Sequence, residues 1–221
     1  MVAGAWERYG VCGYDLTGQR LWQDRSRTNV EAVTALADGR VVVTYNRRAT
    51  RVLQASTGQE VRSLRGVLRV IALSADLSLA VGGGWCRLLD RSLDPVAPRI
   101  ATGWGPVWCA ASDGEHLAIT DNEFLRILDP HGRERARSAS HVRHVVHDPL
   151  TRTWVAIHET DEGQASLLRL DHDAAVLEQR PCERPLDVAT VRAGRALVLL
   201  TDAGVQVLDC SDWSTRVLVD V

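Results

Sequence analysis

Short apolar stretches alternate with polar turn residues along the whole chain. The pattern is clearest between residues 29 and 65, where runs rich in β-branched residues are separated by turn residues such as Gly39 and Gly58. No segment holds apolar residues at helical spacing over three turns. The pattern predicts an all-β protein built from units of four strands, which in this stretch cover 29–36, 40–45, 51–54 and the residues after Gly58.

The same unit is repeated along the chain. An apolar residue followed by Asp recurs at positions 14, 89, 128, 170 and 208, and Gln54 fills a sixth, degenerate position. Neighbouring positions in this series are 35 to 42 residues apart. The tripeptide Thr17-Gly18-Gln19 also returns as Thr57-Gly58-Gln59. A period of about 40 residues made of short strands is typical of a β-propeller blade, so we predict a propeller of six blades.

The predicted blades divide a single propeller domain, residues 1–221. Aligned on the Thr-Gly pair, residues 1–6 match the second strand of the next blade, so the first blade is expected to lack its innermost strand. A tolerated three-stranded blade, a start site that omits upstream sequence, or a strand donated by a partner or a second copy would each explain this. The blade limits are approximately 1–27, 28–66, 67–103, 104–139, 140–183 and 184–221.

The composition excludes several kinds of active site. Lys is absent, and all 26 basic residues are Arg. A Walker A phosphate loop, a Schiff-base enzyme and a serine–lysine hydrolase each need a Lys, so the sequence excludes all three.

The charge, the apolar runs and the cysteine content indicate which kinds of partner and which cellular compartment to expect. The formal net charge of −2 gives no general basic field for nucleic acid or an anionic membrane. No apolar run approaches the roughly 20 residues that span a bilayer. The five cysteines are odd in number and form no Cys-x-x-Cys pair, which indicates small buried hydrophobes in a reducing compartment. We therefore expect a cytoplasmic protein with a protein partner, without nucleic-acid or membrane binding.

Two propeller families share features with these repeats. The run from Asp38 to Gly66 resembles a WD40 repeat, with Asp-Gly opening the second strand. In the other repeats, Leu-Asp or Tyr-Asp stands where that family has Trp-Asp. The stretch YDLTGQRLW is similar to the repeat of quinoprotein-like (PQQ-type) propellers, D-x-x-T-G-x-x-x-W, which it matches at Asp15, Thr17, Gly18 and Trp22. Both resemblances imply a propeller fold, and a fold alone does not determine function.

One face of the predicted propeller carries candidate binding residues. Loops between the second and third strands, and those between blades, emerge on the same face, where Arg and Trp often anchor interfaces. This face is expected to be basic on one side and acidic on the other, the acidic side including Glu159 and Glu162. Solvated loops, or Trp packing at blade interfaces, are the alternative. The residues predicted to bind a partner are Arg25, Arg27, Arg47, Arg48, Trp85, Trp104, Asp121, Glu123 and Asp161.

Three histidines in the segment SHVRHVVHD are weak candidates for a metal site. In a strand, residues three apart point to opposite faces, so His144 faces away from His141 and His147. His144 occupies the register of Val33, Val70 and Val188 in the other repeats, so it is expected to pack as a neutral imidazole. We predict no metal, no cofactor and no catalytic residue.

These observations favour a non-catalytic protein-interaction scaffold, WD40-like in its repeats, that is one component of a larger bacterial assembly. The alternative is a ligand-binding or enzymatic propeller of the quinoprotein-like or lactonase-like kind, with a site at the axial mouth. The predicted inner strands offer mainly apolar side chains for such a site.

Overall fold

The computed structural model shows a protein made of β-strands. It describes residues 2–5, 10–15, 17–27, 29–46, 50–103, 107–121, 124–138, 142–160, 162–185, 187–191, 196–201, 204–210 and 212–220. Every regular element in these residues is a strand, as the apolar pattern predicted. No helix in this part of the chain is long and apolar enough to cross a membrane.

The strands of the described residues form six antiparallel sheets, lettered A to F in chain order, and each sheet lies within one of the predicted repeats. Sheet A has three strands and the others have four. The strands of sheets A to C are β1 (Val2–Ala5), β2 (Gly10–Tyr14), β3 (Arg20–Asp24), β4 (Val30–Ala35), β5 (Arg40–Tyr45), β6 (Thr50–Gln54), β7 (Glu60–Leu64), β8 (Arg69–Ala72), β9 (Leu77–Gly82), β10 (Trp85–Asp90) and β11 (Ile100–Ala101). Those of sheets D to F are β12 (Cys109–Ser112), β13 (Leu117–Thr120), β14 (Leu125–Leu128), β15 (Glu134–Arg137), β16 (Val142–Asp148), β17 (Thr153–Glu159), β18 (Ala165–Leu170), β19 (Val176–Cys182), β20 (Asp187–Val191), β21 (Ala196–Thr201), β22 (Gly204–Asp209) and β23 (Thr215–Asp220).

The chain divides into two compact units, Met1–Gly103 and Trp104–Val221. The first unit contains sheets A to C and the second contains sheets D to F. In each sheet the strands follow one another in chain order and pair antiparallel with their neighbours. The division into six blades of a single domain, made from the sequence, stays a prediction.

In sheets B to E, burial is greatest in the middle strands and lowest in the last one. In sheet B, β5 is buried along almost its whole length, whereas β7 is exposed except at Leu64. Sheets D and E repeat this order, with β13 and β14 fully buried and β19 mostly exposed. Within the first unit, β8 packs against β4 and β5, and within the second, β16 packs against β12 and β13. The core therefore lies between neighbouring sheets, where apolar faces of adjacent sheets meet.

The recurring Asp of the sequence repeat closes the turn between the last two strands of its sheet. The carboxylate accepts hydrogen bonds from the backbone N–H groups two and four residues later at Asp15, Asp129 and Asp171, and from the group four residues later at Asp90. The Thr17 hydroxyl, together with backbone N–H groups, holds the pKa of the Asp15 carboxyl below its ordinary value. Asp is repeated because its short side chain satisfies N–H groups that the tight turn leaves unpaired.

The Trp of the quinoprotein-like repeat joins the first two sheets. Trp22 lies in β3, and its indole Nε1 donates a hydrogen bond to the Ala55 carbonyl in the β6–β7 turn at 2.8 Å. The ring lies so close to Gly58 in that turn that an added Cβ would stand 2.6 Å from ring carbons. Gly58 also has a φ of +72°, which favours glycine. The repeated Thr-Gly pair thus serves both the turn itself and the docking of Trp22.

The two equivalent glycines provide a matched test of this contact. Gly18 has a φ of +84° but no atom within 4 Å of an added Cβ, so Gly18→Ala should cost only the backbone strain, about 1–2 kcal/mol. Gly58→Ala should cost about 1–3 kcal/mol more, because the new methyl group overlaps the Trp22 ring. Urea denaturation of both variants measures the difference. Equal losses of stability would show that the Trp22 ring does not rest on Gly58.

Candidate functional site

The structure describes some of the predicted partner-binding residues and not others. Arg25 and Arg27 are exposed in the segment that follows β3, as the prediction requires. Their role in binding stays a prediction, as does that of the residues outside the described ranges, Arg47, Arg48, Trp104, Glu123 and Asp161.

Trp85 is placed differently from the sequence prediction. It is the first residue of β10 rather than a loop residue, and it is only partly exposed. Its ring lies against Gly82, where an added Cβ would stand 2.1 Å from the indole Cε2, and the Arg99 guanidinium carbon is 4.3 Å from the ring centroid. Trp85 also packs against the apolar cluster shared by sheets B and C. These contacts favour the packing alternative for this residue.

The prediction that Asp121 offers its charge to a partner is wrong. The Asp121 side chain is fully buried, and its Oδ2 accepts a hydrogen bond from the Arg126 Nε at 2.6 Å. Its Oδ1 accepts a second hydrogen bond from the Phe124 backbone N–H at 2.7 Å. Arg126 also donates to Glu134 in the neighbouring strand. The carboxylate is therefore part of an internal network that a partner does not reach.

Glu159, predicted on the same acidic side, is also neutralised internally. It ends β17 and is 5% exposed. Its Oε2 lies 3.1 Å from the Arg143 Nε and 3.4 Å from the Arg184 Nε. The predicted acidic side of the binding face therefore does not include free charges at Asp121 and Glu159, because arginines from the same sheet or the segment after it contact both carboxylates. Glu162 is exposed.

Two of the three predicted histidines lie in a bulged edge strand, β16. His141 lies outside the described residues, and His144 is half-buried in β16 opposite Ile157. His147 is half-buried opposite Trp154, with ring centroids 5.1 Å apart. Burial lowers the pKa of His147, although the nearby Asp113 carboxylate opposes this shift. His147 is therefore a neutral imidazole near neutral pH, and its Nε2 has no hydrogen-bond partner among the described residues.

Three other side chains of the second unit converge on one point. Asp113 and His116 lie in the turn between β12 and β13, and His172 lies in the turn between β18 and β19. The Nδ1 atoms of His116 and His172 are 3.1 and 3.3 Å from the same Asp113 oxygen, Oδ2. One donor atom from each of the three residues lies within 4.8 Å of the other two. Two imidazoles and a carboxylate at this spacing can hold a metal ion.

Sequence reasoning missed this group because its members come from two different sheets. The segment Asp113-Gly114-Glu115-His116 does contain a signal, since an Asp and a His three residues apart flank a tight turn. The third member, His172, follows the recurring Asp171 and looks in the sequence like an ordinary turn residue. The prediction instead weighed histidines within one strand, where they point to opposite faces.

A pocket opens between the outer strands of sheets E and F. Its volume is about 150 Å³. Trp213 forms part of its wall and has a φ of +63°, and the guanidinium carbons of Arg169 and Arg180 lie 5.3 and 5.2 Å from its ring centroid. The lining combines apolar and polar groups from both sheets, namely Leu167, Arg180, Pro181, Cys182, Glu183, Leu199, Gln206, Leu208, Trp213 and Thr215.

Two of the five cysteines are buried, as the sequence predicted for all of them, and the other three are partly exposed. None of the five forms a disulfide, and Cys86 and Cys210 are fully buried. Burial raises the pKa of Cys86 to about 12, and burial with the nearby Asp148 and Asp209 raises that of Cys210 to about 12. Burial, helped by Glu159 and Glu183, raises the pKa of the Cys182 thiol in the pocket to about 11. These three thiols stay protonated at neutral pH and are poor nucleophiles.

Comparison with known proteins shows similarity at the level of the fold. No protein-family model matches the chain, and no curated protein does. BamB from Moraxella catarrhalis superposes with a TM-score of 0.58 at 16% identity, over 97% of this chain and 71% of that one. KlHsv2 with loop 6CD replaced by a Gly-Ser linker gives a TM-score of 0.60 at 11% identity, over 97% and 76% of the two chains. The chain thus has an all-β propeller fold, which both resemblances found in its sequence implied.

Proposed function

We propose that this propeller is a non-catalytic protein-interaction scaffold and one cytoplasmic component of a larger bacterial assembly. The observation that carries the proposal is the pocket between the outer strands of sheets E and F, whose size and lining suit a single side chain of a protein partner. The free cysteines support a reducing compartment.

As part of the same proposal, each sheet is one blade, which gives six. The first blade then has three strands, and β1 is the edge strand of its sheet among the described residues. An unpaired strand edge can accept a strand from a partner or from a second copy of the chain.

The charged groups of the described strands support a structural rather than a catalytic role. General acid–base catalysis needs a carboxylate or imidazole that reaches the substrate. In several sheets the carboxylates are instead bound by arginines within the fold. The pairs are Arg51 with Asp24 and Glu60, Arg126 with Asp121 and Glu134, and Arg143 and Arg184 with Glu159.

The pocket is the right size for one side chain and too small for a cofactor. Pockets that hold drug-sized ligands measure about 300–1,000 Å³. A cavity of about 150 Å³ lined by apolar groups holds a molecule the size of benzene. Leu167, Leu199 and Trp213 supply apolar walls here, and the protonated Cys182 thiol adds a further weakly polar surface.

The rim of the pocket supplies polar groups that can orient a partner. Arg180 stacks over Trp213 and is paired with Glu178, and the Gln206 side-chain amide donates to Glu183 at 3.0 Å. Trp and Arg are enriched among the residues that contribute most of the binding energy at protein interfaces. On β19 and β23, which line the pocket, Val176, Leu177 and Val217 are exposed apolar residues.

Site-specific photo-crosslinking tests the proposal. A photoreactive amino acid replaces Glu183 at the pocket rim in cells that express the protein, and the crosslinked products are identified. We expect a discrete protein partner whose crosslinking falls at least about tenfold when Thr215→Trp fills the pocket. The matched control, Thr57→Trp, adds the same bulk at an exposed turn in the other unit and should leave crosslinking unchanged.

The captured partner is then purified and its affinity measured against both variants. Loss of affinity in Thr215→Trp alone supports the pocket as a contact site. Equal crosslinking in the two Trp variants, or the absence of any discrete product at residue 183, would reject this pocket as the site of partner binding.

A further inference from the structure

The group formed by Asp113, His116 and His172 has a role that a scaffold does not require. We propose that these three side chains bind one divalent transition-metal ion, of which Zn²⁺ is the best fit, and that the ion links the β12–β13 turn of sheet D to the β18–β19 turn of sheet E. Both turns belong to the second unit, and the site is independent of the pocket between sheets E and F.

The distances between the donor atoms match those around a tetrahedral ion. Zn²⁺ forms bonds of about 2.0–2.1 Å to nitrogen and oxygen, so neighbouring ligand atoms of a tetrahedral site are about 3.3 Å apart. The two distances from the Asp113 Oδ2 to the imidazole Nδ1 atoms are 3.1 and 3.3 Å. Small rotations of the two imidazoles would bring all three donor atoms within bonding distance of one ion.

The Asp113 carboxylate is held in place for this role by the backbone of its own turn. Its other oxygen, Oδ1, accepts hydrogen bonds from the N–H groups of Glu115 at 2.8 Å and of His116 at 2.6 Å. The second oxygen, Oδ2, is therefore presented to both imidazoles, and groups that fix a ligand in this way strengthen metal binding.

The surrounding rings orient the two imidazoles while leaving the ion accessible. The His172 ring meets Trp154 edge-on, with centroids 6.2 Å apart, and lies 5.6 Å from the His116 ring. The Asp113 side chain is 8% exposed, whereas those of His116 and His172 are 29% and 44% exposed. The carboxylate thus forms the base of the site, and a fourth position faces solvent, where water completes the coordination.

The donor set selects the class of metal. Ca²⁺ and Mg²⁺ are bound almost entirely through oxygen, which excludes them as the natural occupants of a site with two imidazoles. Imidazole with carboxylate suits Zn²⁺ and its neighbours in the first transition series. A hydrogen-bonded His–Asp–His group without a metal would show the same distances, so the two explanations must be separated by experiment.

Calorimetric titration with ZnCl₂ separates them. The full chain is purified without a histidine tag, stripped with a chelator and dialysed. We expect saturable binding of one Zn²⁺ per chain and a rise in Tm on saturation. His172→Ala and His116→Ala should each weaken binding by at least about tenfold and abolish the rise in Tm. His131→Ala removes an exposed turn histidine of the same sheet and is the matched control that should bind as the wild type does.

Two further measurements keep the test decisive if a histidine variant proves unstable. Asp113→Asn keeps an Oδ1 acceptor for the backbone N–H groups but removes the charge, so it should fold and yet bind Zn²⁺ at least about tenfold more weakly. Co²⁺ should give a visible absorption band that His172→Ala loses. No saturable binding by the wild type, or binding that survives in both histidine variants, would overturn the metal site and leave the scaffold proposal untouched.

Discussion

Replacing Arg126 by Ala should destabilise the protein by about 3–5 kcal/mol, because it leaves a buried carboxylate without its counter-charge. The Asp121 side chain is fully buried, and the Arg126 guanidinium, itself 8% exposed, contacts it at 2.6 Å. Water cannot replace the lost partner at this depth, so the energy of desolvating Asp121 is no longer offset. Chemical denaturation of Arg126→Ala and the wild type measures the loss.

Two comparisons make this result specific to the ion pair. Arg133→Ala removes an exposed arginine from the turn that precedes the next strand of the same sheet and should change stability by less than about 0.5 kcal/mol. The double variant Asp121→Asn with Arg126→Met removes both charges together and should recover much of the loss, because an uncharged amide is less costly to bury. A double variant as unstable as Arg126→Ala would show that packing of the arginine, and not its charge, is what matters.

The strands could be predicted from the repeat because the residues that form each strand and turn are close together in the sequence. In sheet B the predicted strands 40–45 and 51–54 agree with β5 and β6 to within one residue. The recurring Asp marks a turn whose hydrogen bonds span only four residues, as at Asp129 and Asp171. The Thr-Gly pair marks a positive φ. Signals of this kind are readable from one sequence because the residues that cause the structure are adjacent in it.

The candidate sites were harder to predict because they depend on the depth of loops and on contacts between sheets. Asp121 is polar and follows a strand, which suggests an exposed loop residue. In the structure it is buried, because its carboxylate accepts a hydrogen bond from Arg126 across the hairpin. The group around Asp113 needs His172 from the next sheet. The residues around these two turns do not indicate that the turns contact each other. Charge and spacing in the sequence therefore identified candidate residues. Whether a charged side chain can bind another molecule depends on the residues that it contacts in the folded chain, which the sequence does not show.

Replacing Leu53 by Ala should cost about 2–5 kcal/mol, because Leu53 has no exposed surface and the neighbouring side chains cannot fully close the cavity. Leu53 lies in β6, within an apolar cluster that also contains Val11 of sheet A and Tyr45 of β5. Leu21→Ala is the matched control, since that leucine lies in β3 of the same unit and is 53% exposed. It should lose less than about 0.5 kcal/mol. Urea unfolding followed by circular dichroism compares the two, and similar losses would mean that the cluster between sheets A and B does not stabilise the first unit as the structure implies.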